Sequence, residues 1–277
     1  MLRKWRRKWR RNWRGKWSIA CLAAGLSFGQ QRGVVLADLT WVEAQKVLRP
    51  ETVVVIPIGA EAKEHGPHLK LKTDLLEAEY YKRQILARAD VVVAPTVNYS
   101  YYPAFVEYPG STTLRLETAR DMLVDICRSL ARFGPKRFYG LNTGVSTLLA
   151  LQPASEIVAR DGILLRYTNV REVSAEAERR VRREEGGTHA DEIETSLMLF
   201  IDPASVDMSQ AVKDYHPADG GLTRDPRKPG AYSASGIYGD ATLATRAKGE
   251  AVARATVAGI LRDIEALRNA AVDKAHR

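Results

Sequence analysis

The chain has 277 residues, 45% of them hydrophobic, which is enough for one large α/β domain or two small ones. Its formal net charge is +9, but residues 1–37 hold ten Lys and Arg and no acid. Residues 38–277 therefore carry 32 basic against 33 acidic side chains, a net charge of about −1. This part has no excess positive charge to neutralise phosphates, which excludes nucleic acid as its expected partner.

Residues 1–37 are typical of a secretory leader. A basic segment precedes a short apolar stretch over residues 18–28, and small residues end at Ala37, where we expect cleavage. The apolar stretch is too short to span a bilayer, and Arg10 and Arg11 loosely resemble a twin-arginine signal. We therefore expect residues 38–277 to be exported, to the periplasm or outside the cell, without a membrane span.

Tryptophans in the leader leave an alternative open. They recur every four residues, which aligns them on one face of a helix and suits a membrane surface; they are Trp5, Trp9, Trp13 and Trp17. The alternative to a cleaved leader is therefore a leader that stays attached and lies on a membrane or binds nucleic acid.

From residue 50 onward, short β-branched runs alternate with longer amphipathic segments. Strands are predicted over 53–59, 91–97, 136–142 and 162–170, and helices over 75–89, 117–134, 146–162, 188–201 and 243–268. Thr188 is the predicted N-cap of the helix over 188–201. Residues 203–240, rich in Gly, Pro, Asp and Tyr, are predicted as a long loop. The alternation predicts an α/β fold with a mostly parallel sheet and helices on both faces.

Three segments follow the carboxyl ends of predicted strands, where open α/β sheets bind their ligands. They are residues 59–74, 97–113 and 142–147. Their side chains are therefore the candidates for one site. The tyrosines of SYYPAFVEYPG (100–110) and of residues 203–240, together with His216, are candidates for its walls.

The first segment contains KEHGPHLKLKTD, residues 63–74. A Gly-Pro turn lies between His65 and Asp74, and a loop after a strand end can bring an imidazole and a carboxylate to one point. Nitrogen and oxygen ligands of this kind suit zinc, manganese or iron. The alternatives are that Asp74 caps the helix beginning near Leu75 and that His68 only fixes the turn.

A second cluster is GGTHADEIETS, residues 186–196, in which His189 and Glu194 lie five positions apart. This spacing overshoots one helical turn, so the two side chains meet a common ligand only if His189 precedes the helix. The alternative is a solvated acidic helix start.

The third segment, LNTGVSTLLAL, places Gly144 and Ser146 at a strand-to-helix turn. Backbone N–H groups and a hydroxyl at such a turn can hold an anion or an oxyanion. Helix capping by Thr143 or Ser146 is the alternative.

Five segments together resemble the creatininase family of metal-dependent amidohydrolases, in the family's order. They are VIPIGAEAKEHGPHLKLKTD, YPGSTTL, LNTGVSTLLAL, HADEIETSLML and SGIYGDATLATRAKGEA. The resemblance implies a three-layer α/β/α sandwich, a homo-oligomer such as a hexamer, and a pair of divalent metal ions. It also implies that hydroxide attacks the carbonyl carbon of a cyclic or formyl amide while an imidazole protonates the leaving nitrogen.

The resemblance assigns roles to four residues. His65 is implied as a metal ligand and Asp74 as a bridge between two ions. His189 is implied as the catalytic acid or a substrate contact, and Glu194 as its support.

Two departures from the family pattern affect the ligand set. Where the family usually reads Glu-x-His, Lys63 stands two positions before His65, and Glu64 is the adjacent acid that we predict as a ligand. The family's usual Asn-Gly-His, with an acid or asparagine beyond it, is replaced by Asn142, Thr143, Gly144, Val145 and Ser146. We predict Asn142, Gly144 and Ser146 as substrate contacts instead.

The sequence thus predicts an exported hydrolase of a small, cyclic amide that uses one or two ions of zinc, manganese or iron. Its predicted metal ligands are Glu64, His65 and Asp74, and its predicted catalytic residues are His189 and Glu194. The alternative is an exported protein that binds a small molecule on the same fold without turning it over, because two ligands are missing near Gly144.

Overall fold

A computed structural model of the chain describes residues 31–272. The predicted features of residues 1–30, including the basic segment and its tryptophans, lie outside the described residues. Within residues 31–272 no helix is both long and apolar enough to cross a bilayer.

A five-stranded parallel sheet forms the centre of the molecule, with the strand order β1-β3-β2-β4-β5. Its strands are β1 (Val34–Val35), β2 (Val53–Ile58), β3 (Val92–Val93), β4 (Arg137–Asn142) and β5 (Leu164–Tyr167). β2 and β4 are the long central pair, in register from Val53 opposite Arg137 to Ile58 opposite Asn142.

Within residues 31–272, seven α-helices accompany the sheet. They are α1 (Trp41–Val47), α2 (Thr73–Arg88), α3 (Leu116–Ala131), α4 (Leu148–Ala159), α5 (Ala175–Val181), α6 (Glu192–Ile201) and α7 (Arg246–Arg268). Two small sheets lie between α6 and α7: β6 (Lys213–Asp214) pairs with β9 (Gly239–Asp240), and β7 (Leu222–Thr223) pairs with β8 (Ala231–Tyr232).

Alternation along β2 divides the core into two layers, because successive side chains of a strand point to opposite faces. Val54, Ile56 and Ile58 pack with residues of α3 and α4 on one face. Val53 and Val55 pack with residues of α2 and α7 on the other face. Since both faces are covered, every residue of β2 is buried, and the molecule is the three-layer α/β/α sandwich that the sequence predicted.

Several element bounds differ from prediction. The strand predicted over 91–97 is hydrogen-bonded as a strand only at Val92–Val93, with an isolated bridge at Val97. Residues 203–240 are a long connection, as predicted, but contain short strands and 3-10 turns. β1 lies within the predicted leader, yet both of its residues pair with β3 in the central sheet.

The strand order reverses between β2 and β4, because β3 lies on one side of β2 and β4 on the other. Loops leaving two such neighbouring strands diverge and open a crevice at their carboxyl ends. The loop after β2 begins at Gly59 and the loop after β4 begins at Thr143, whose N–H donates to the carbonyl of Ile58 over 3.3 Å. The fold therefore brings two of the predicted site segments together.

Candidate metal centre

The loop after β2 delivers Lys63, Glu64 and His65 to the crevice, and α2 returns Asp74 to the same point in its first turn. Gly66 makes the turn between them with φ +72°, a backbone conformation that a side chain disfavours. A Cβ at Gly66 would also lie 2.7 Å from Ile237, so the turn has no room for one.

His65 is fully buried, and the contacts of its two ring nitrogens fix its orientation. Nδ1 lies 2.8 Å from the carbonyl oxygen of Lys63, which can only accept, so Nδ1 carries a proton. Nε2 lies 3.0 Å from Asp74 Oδ1 and 3.5 Å from Glu194 Oε1. In the neutral tautomer, the lone pair of Nε2 therefore faces two carboxylate oxygens, which is an arrangement that a bound cation stabilises.

Lys63 forms a buried ion pair with the other oxygen of Asp74, with 2.7 Å between Nζ and Oδ2. Burial by itself lowers the pKa of Lys63, but Asp74 and Glu194 outweigh it and raise the pKa, so the ammonium is charged. Burial likewise opposes ionisation of Asp74, yet Lys63 and His65 hold the pKa of its carboxyl well below the usual range. The rings of Phe105 and Tyr102 flank the ammonium, with centroids 5.0 and 5.8 Å from Nζ.

Helix α6 begins at Glu192, not at the predicted 188, because the Asp191 side chain accepts hydrogen bonds from the N–H groups of Ile193 and Glu194. Thr188 is therefore not the N-cap. Ala190 has φ +48°, and this kink places His189 before the helix while Glu194 lies in its first turn. The cluster is buried, so the alternative of a solvated acidic helix start is wrong.

His189 is held by two carboxylates. Its Nε2 lies 3.1 Å from Glu64 Oε2, and its Nδ1 lies 3.6 Å from Glu194 Oε2. Burial lowers the pKa of His189, but Glu64 outweighs this effect and raises the pKa above its ordinary value. The other oxygen of Glu64 accepts from the N–H of Gly66, so both oxygens of Glu64 are engaged.

Three side chains meet the distance requirement for holding a metal ion. One ligand atom from each of His65, His189 and Glu194 lies within 4.8 Å of the others. Asp74 Oδ1 adds a fourth donor beside His65. Ligands that lie about 2.0–2.2 Å from a zinc ion at tetrahedral angles are roughly 3–3.5 Å apart, which matches the contacts around His65 Nε2. His65, His189 and Glu194 therefore fit one divalent ion, and Asp74 lies beside them.

His68 lies beside this cluster without joining it. Its Nε2 lies 2.8 Å from Thr195 Oγ1, and the Thr195 hydroxyl also contacts the carbonyl of Ala190. Burial, reinforced by the nearby His65, lowers the pKa of His68 to about 4, so the ring is neutral near pH 7. This placement agrees with a residue that fixes the turn.

The loop after β4 contributes backbone to the site and contains no acid or imidazole. The amide of Asn142 donates to the carbonyl of Gly144 over 2.7 Å and accepts from the N–H of Gly144 and the hydroxyl of Thr147. Asn142 thus holds the loop in shape and has no free polar group for a substrate. Gly144 and Ser146 do lie on the wall of the cavity. Neither Thr143 nor Ser146 caps α4, whose N-cap position is Thr147.

A cavity of about 310 Å³ opens above the cluster. Lys63, His189 and Glu194 form part of its lining, with Tyr102 and Phe105 from the segment SYYPAFVEYPG. The long connection contributes Ala218, Gly220, Gly221, Leu222 and Tyr238 to the lining, whereas His216 does not line the cavity. The sequence did not single out Phe105, whose ring centroid lies 4.4 Å from that of His189. An aromatic residue between two strand-end segments was its only sequence signal.

The chain is similar to known proteins over most of its length. A family profile described as creatininase, creatinine amidohydrolase, matches residues 37–264. A creatinine amidohydrolase of Pseudomonas putida is 27% identical over 253 residues, which cover 83% of this chain and 95% of that protein. A mycofactocin precursor peptide peptidase of Mycolicibacterium smegmatis is 28% identical over 208 residues, covering 72% of this chain and 79% of that protein.

Two solved creatininase structures have the same fold. One is titled "Creatininase Mn", with a TM-score of 0.71 and 25% identity, and covers 86% of this chain and all of that one. The other is a mutant creatininase of "Zn-Zn type", with a TM-score of 0.70 and 25% identity, and covers 86% of this chain and 99% of that one.

Proposed function

The chain belongs to the creatininase family, and we propose that it hydrolyses a C–N bond of a small amide with a divalent metal ion bound at the cluster around His65. The observation that carries the proposal is the position of His65 Nε2, which faces Asp74 Oδ1 and Glu194 Oε1 near the cavity. Buried donors that converge in this way, below a cavity, are typical of a catalytic metal site.

We assign His65, Asp74 and Glu194 as the ligands of the ion. Glu64 is assigned the role of orienting His189. This assignment exchanges the roles that the sequence suggested for the two glutamates. Glu64 contacts Gly66 and His189 with its two oxygens, whereas Glu194 presents Oε1 to His65. The sequence cannot distinguish the two acids, because the difference lies in where α6 begins.

A divalent ion held by these residues would act as a Lewis acid, activating water and polarising a carbonyl group. His189 is placed to donate a proton to the leaving nitrogen, and Glu64 holds its ring and favours its protonated form. In the proposed hydrolysis one water molecule is consumed: its hydroxyl group joins the carbonyl carbon, and a proton joins the nitrogen as the C–N bond breaks. Phe105 covers His189 and limits the access of water.

The dimensions of the cavity favour a small substrate. About 310 Å³ is near the lower limit for sites that bind drug-sized molecules, and residues 218–222 close one side. One curated relative is named for creatinine and another for a precursor peptide. We therefore place small cyclic amides first, with creatinine as the first probe, and a peptide amide second.

The test is hydrolysis by the full-length chain after reconstitution with zinc or manganese, measured together with metal content. Glu194→Gln is expected to lose at least tenfold in metal affinity, whereas Glu64→Gln keeps the metal. His189→Asn is expected to keep the metal and lose roughly 10²–10⁴-fold in turnover. Glu185→Gln is the control, because that side chain is 79% exposed and contacts only Lys213.

Unchanged metal content and turnover in Glu194→Gln and His189→Asn would reject the proposal. Metal bound without turnover of any amide would favour the second candidate, a non-catalytic small-molecule-binding protein. The observation in favour of that candidate is the stretch 143–147, which offers no acid or imidazole.

We also propose that the domain is exported and assembles as a homo-oligomer. The leader supports export, and Trp41 and Phe133, whose exposed fractions are 78% and 64%, support a subunit contact. N-terminal sequencing of secreted or periplasmic material and light scattering of the purified chain test the two proposals separately.

A further inference from the structure

We propose that the buried ammonium of Lys63 is a built-in cation that takes the place of a second divalent ion, so that the centre holds one metal ion per chain. The inference rests on the proposed function, because it assigns to Lys63 part of the charge stabilisation during amide hydrolysis. It concerns the number of ions, which the hydrolase proposal leaves open.

The two oxygens of Asp74 face different partners. Oδ1 lies 3.0 Å from His65 Nε2, on the side where the ligand atoms converge. Oδ2 lies 2.7 Å from the ammonium of Lys63, whose side chain is 6% exposed. A carboxylate that bridges two ions needs both oxygens free, and here one of them is occupied by a side chain of the protein itself.

The loop after β4 supplies nothing that would displace the ammonium. A Cβ at Gly144 would lie 4.0 Å from Asp74 Oδ2, so position 144 is where the chain would place a ligand for an ion on that side. Glycine has no donor in its side chain. Along residues 31–272, Asp74 is the only carboxylate within 4 Å of Lys63 Nζ.

The charge of the cluster also favours one ion. Glu64 is paired with His189, so Asp74 and Glu194 bring two negative charges to the centre, and Lys63 balances one of them. One divalent ion then leaves a net charge of +1, and a second would leave +3 among buried side chains. Excess charge of this size is costly where little water solvates it.

A solved relative is titled "Zn-Zn type", whereas here Asp74 Oδ2 is paired with the ammonium of Lys63. Lys63 lines the cavity, and its ammonium, which forms an ion pair with Asp74, has three N–H donors. One of these donors is thus available to a substrate carbonyl oxygen as negative charge develops on it.

The decisive measurement is the number of zinc or manganese ions per chain, by elemental analysis of full-length protein dialysed after metal loading. Wild type is expected to hold one ion. Lys63→Glu is expected to hold two, because a carboxylate beside Asp74 Oδ2 and a second ion restore the net charge of +1. Lys82→Glu is the control, because Lys82 lies on the same helix as Asp74 and pairs only with the partly exposed Glu79; it is expected to hold one.

Two ions in wild type would overturn the inference and leave the hydrolase proposal standing. One ion in both wild type and folded Lys63→Glu would also overturn it, and no ion in wild type would overturn both proposals. If Lys63→Glu does not fold, two ions in wild type would still overturn the inference, and Lys63→Met tests the part played by the ammonium.

Lys63→Met provides a second readout, since methionine keeps the length of the chain without its charge. This variant is expected to hold one ion and to lose roughly 10²–10³-fold in turnover with the substrate found for wild type. Wild-type turnover by Lys63→Met with one ion bound would show that the ammonium has no part in charge stabilisation, against the inference.

Discussion

Asp74 is a buried acid in the first turn of α2. A carboxylate there is stabilised by the free N–H groups and the dipole of the helix, and Lys63 and His65 add contacts from the preceding loop. Its side chain does not cap α2, whose N-cap position is Lys72. Removing the ammonium of Lys63 would leave an uncompensated buried charge on Asp74, which typically costs about 3–5 kcal/mol.

His68 makes the stability of the protein depend on pH. Its pKa is about 4 in the folded protein and 6.5 in an exposed chain, so between these values only the unfolded chain binds the proton. The free energy of unfolding therefore falls as pH falls from 6.5 to 4, by up to about 1.4 kcal/mol per pH unit from this group. We expect His68→Gln, which keeps an N–H for Thr195, to flatten this slope.

The measurement is the denaturation midpoint of metal-free protein at several pH values between 4 and 7. His216→Gln is the matched control, because the side chain of His216 is 65% exposed. Equal slopes in wild type and His68→Gln would contradict the assignment.

At the scale of elements, the beginning of α6 determines the geometry of the site. Asp191 caps the helix, and Arg182 contacts the same carboxylate with 3.1 Å between Nη1 and Oδ2. The N–H of Ala190 in turn donates to Glu194 Oε2 over 2.5 Å, which turns Oε1 toward His65. Residue spacing alone placed the helix four residues too early, because it does not show that the N–H of Thr188 is paired with the carbonyl of Tyr238 while Asp191 caps the helix.

β1 is the second element whose role spacing did not reveal. Val34 and Val35 pair with Val92 and Val93, and the N–H of Gly33 donates to the carbonyl of Leu86 over 2.9 Å. We therefore propose that the folded domain begins near Gln31 and includes β1, rather than beginning at Asp38 after the predicted cleavage.

A chain that begins at Asp38 is expected to lose roughly 2–4 kcal/mol of unfolding free energy relative to one that begins at Gln31. The reason is the loss of edge-strand hydrogen bonds and of the half-buried side chains of Val34, Val35 and Leu36. Urea denaturation of the two chains side by side measures the difference. Identical midpoints would show that β1 does not stabilise the sheet.

At the scale of the whole molecule, the excess positive charge lies in residues 1–30. Residues 1–30 hold nine of the 42 basic residues and no acid, so residues 31–277 have 33 basic and 33 acidic residues. We expect a chain beginning at Gln31 to pass through a heparin column at about 0.15 M salt, because it has no net positive charge. The full-length chain is expected to be retained. Retention of the shorter chain would point to a basic surface on the domain itself.

Much of the architecture follows from periodicity, because buried parallel strands and amphipathic helices require the residue types seen in 53–58, 73–88 and 116–131. The same periodicity indicated which strand ends carry polar residues, and the family motifs added their order. Short edge elements such as β1 lack such a signal, since two half-buried valines occur in many leaders and loops.

The sequence by itself determined the α/β class, the family and the side chains that carry chemistry, because these depend on residue types and their spacing along one chain. Only the tertiary structure decided what each acid does: Asp74 divides its oxygens between His65 and Lys63, Glu64 holds His189, and Glu194 faces His65. Of these residues, Glu64 and His189 are 125 positions apart in the sequence. Their geometry is set by the reversal of strand order beside β2, which no local pattern records.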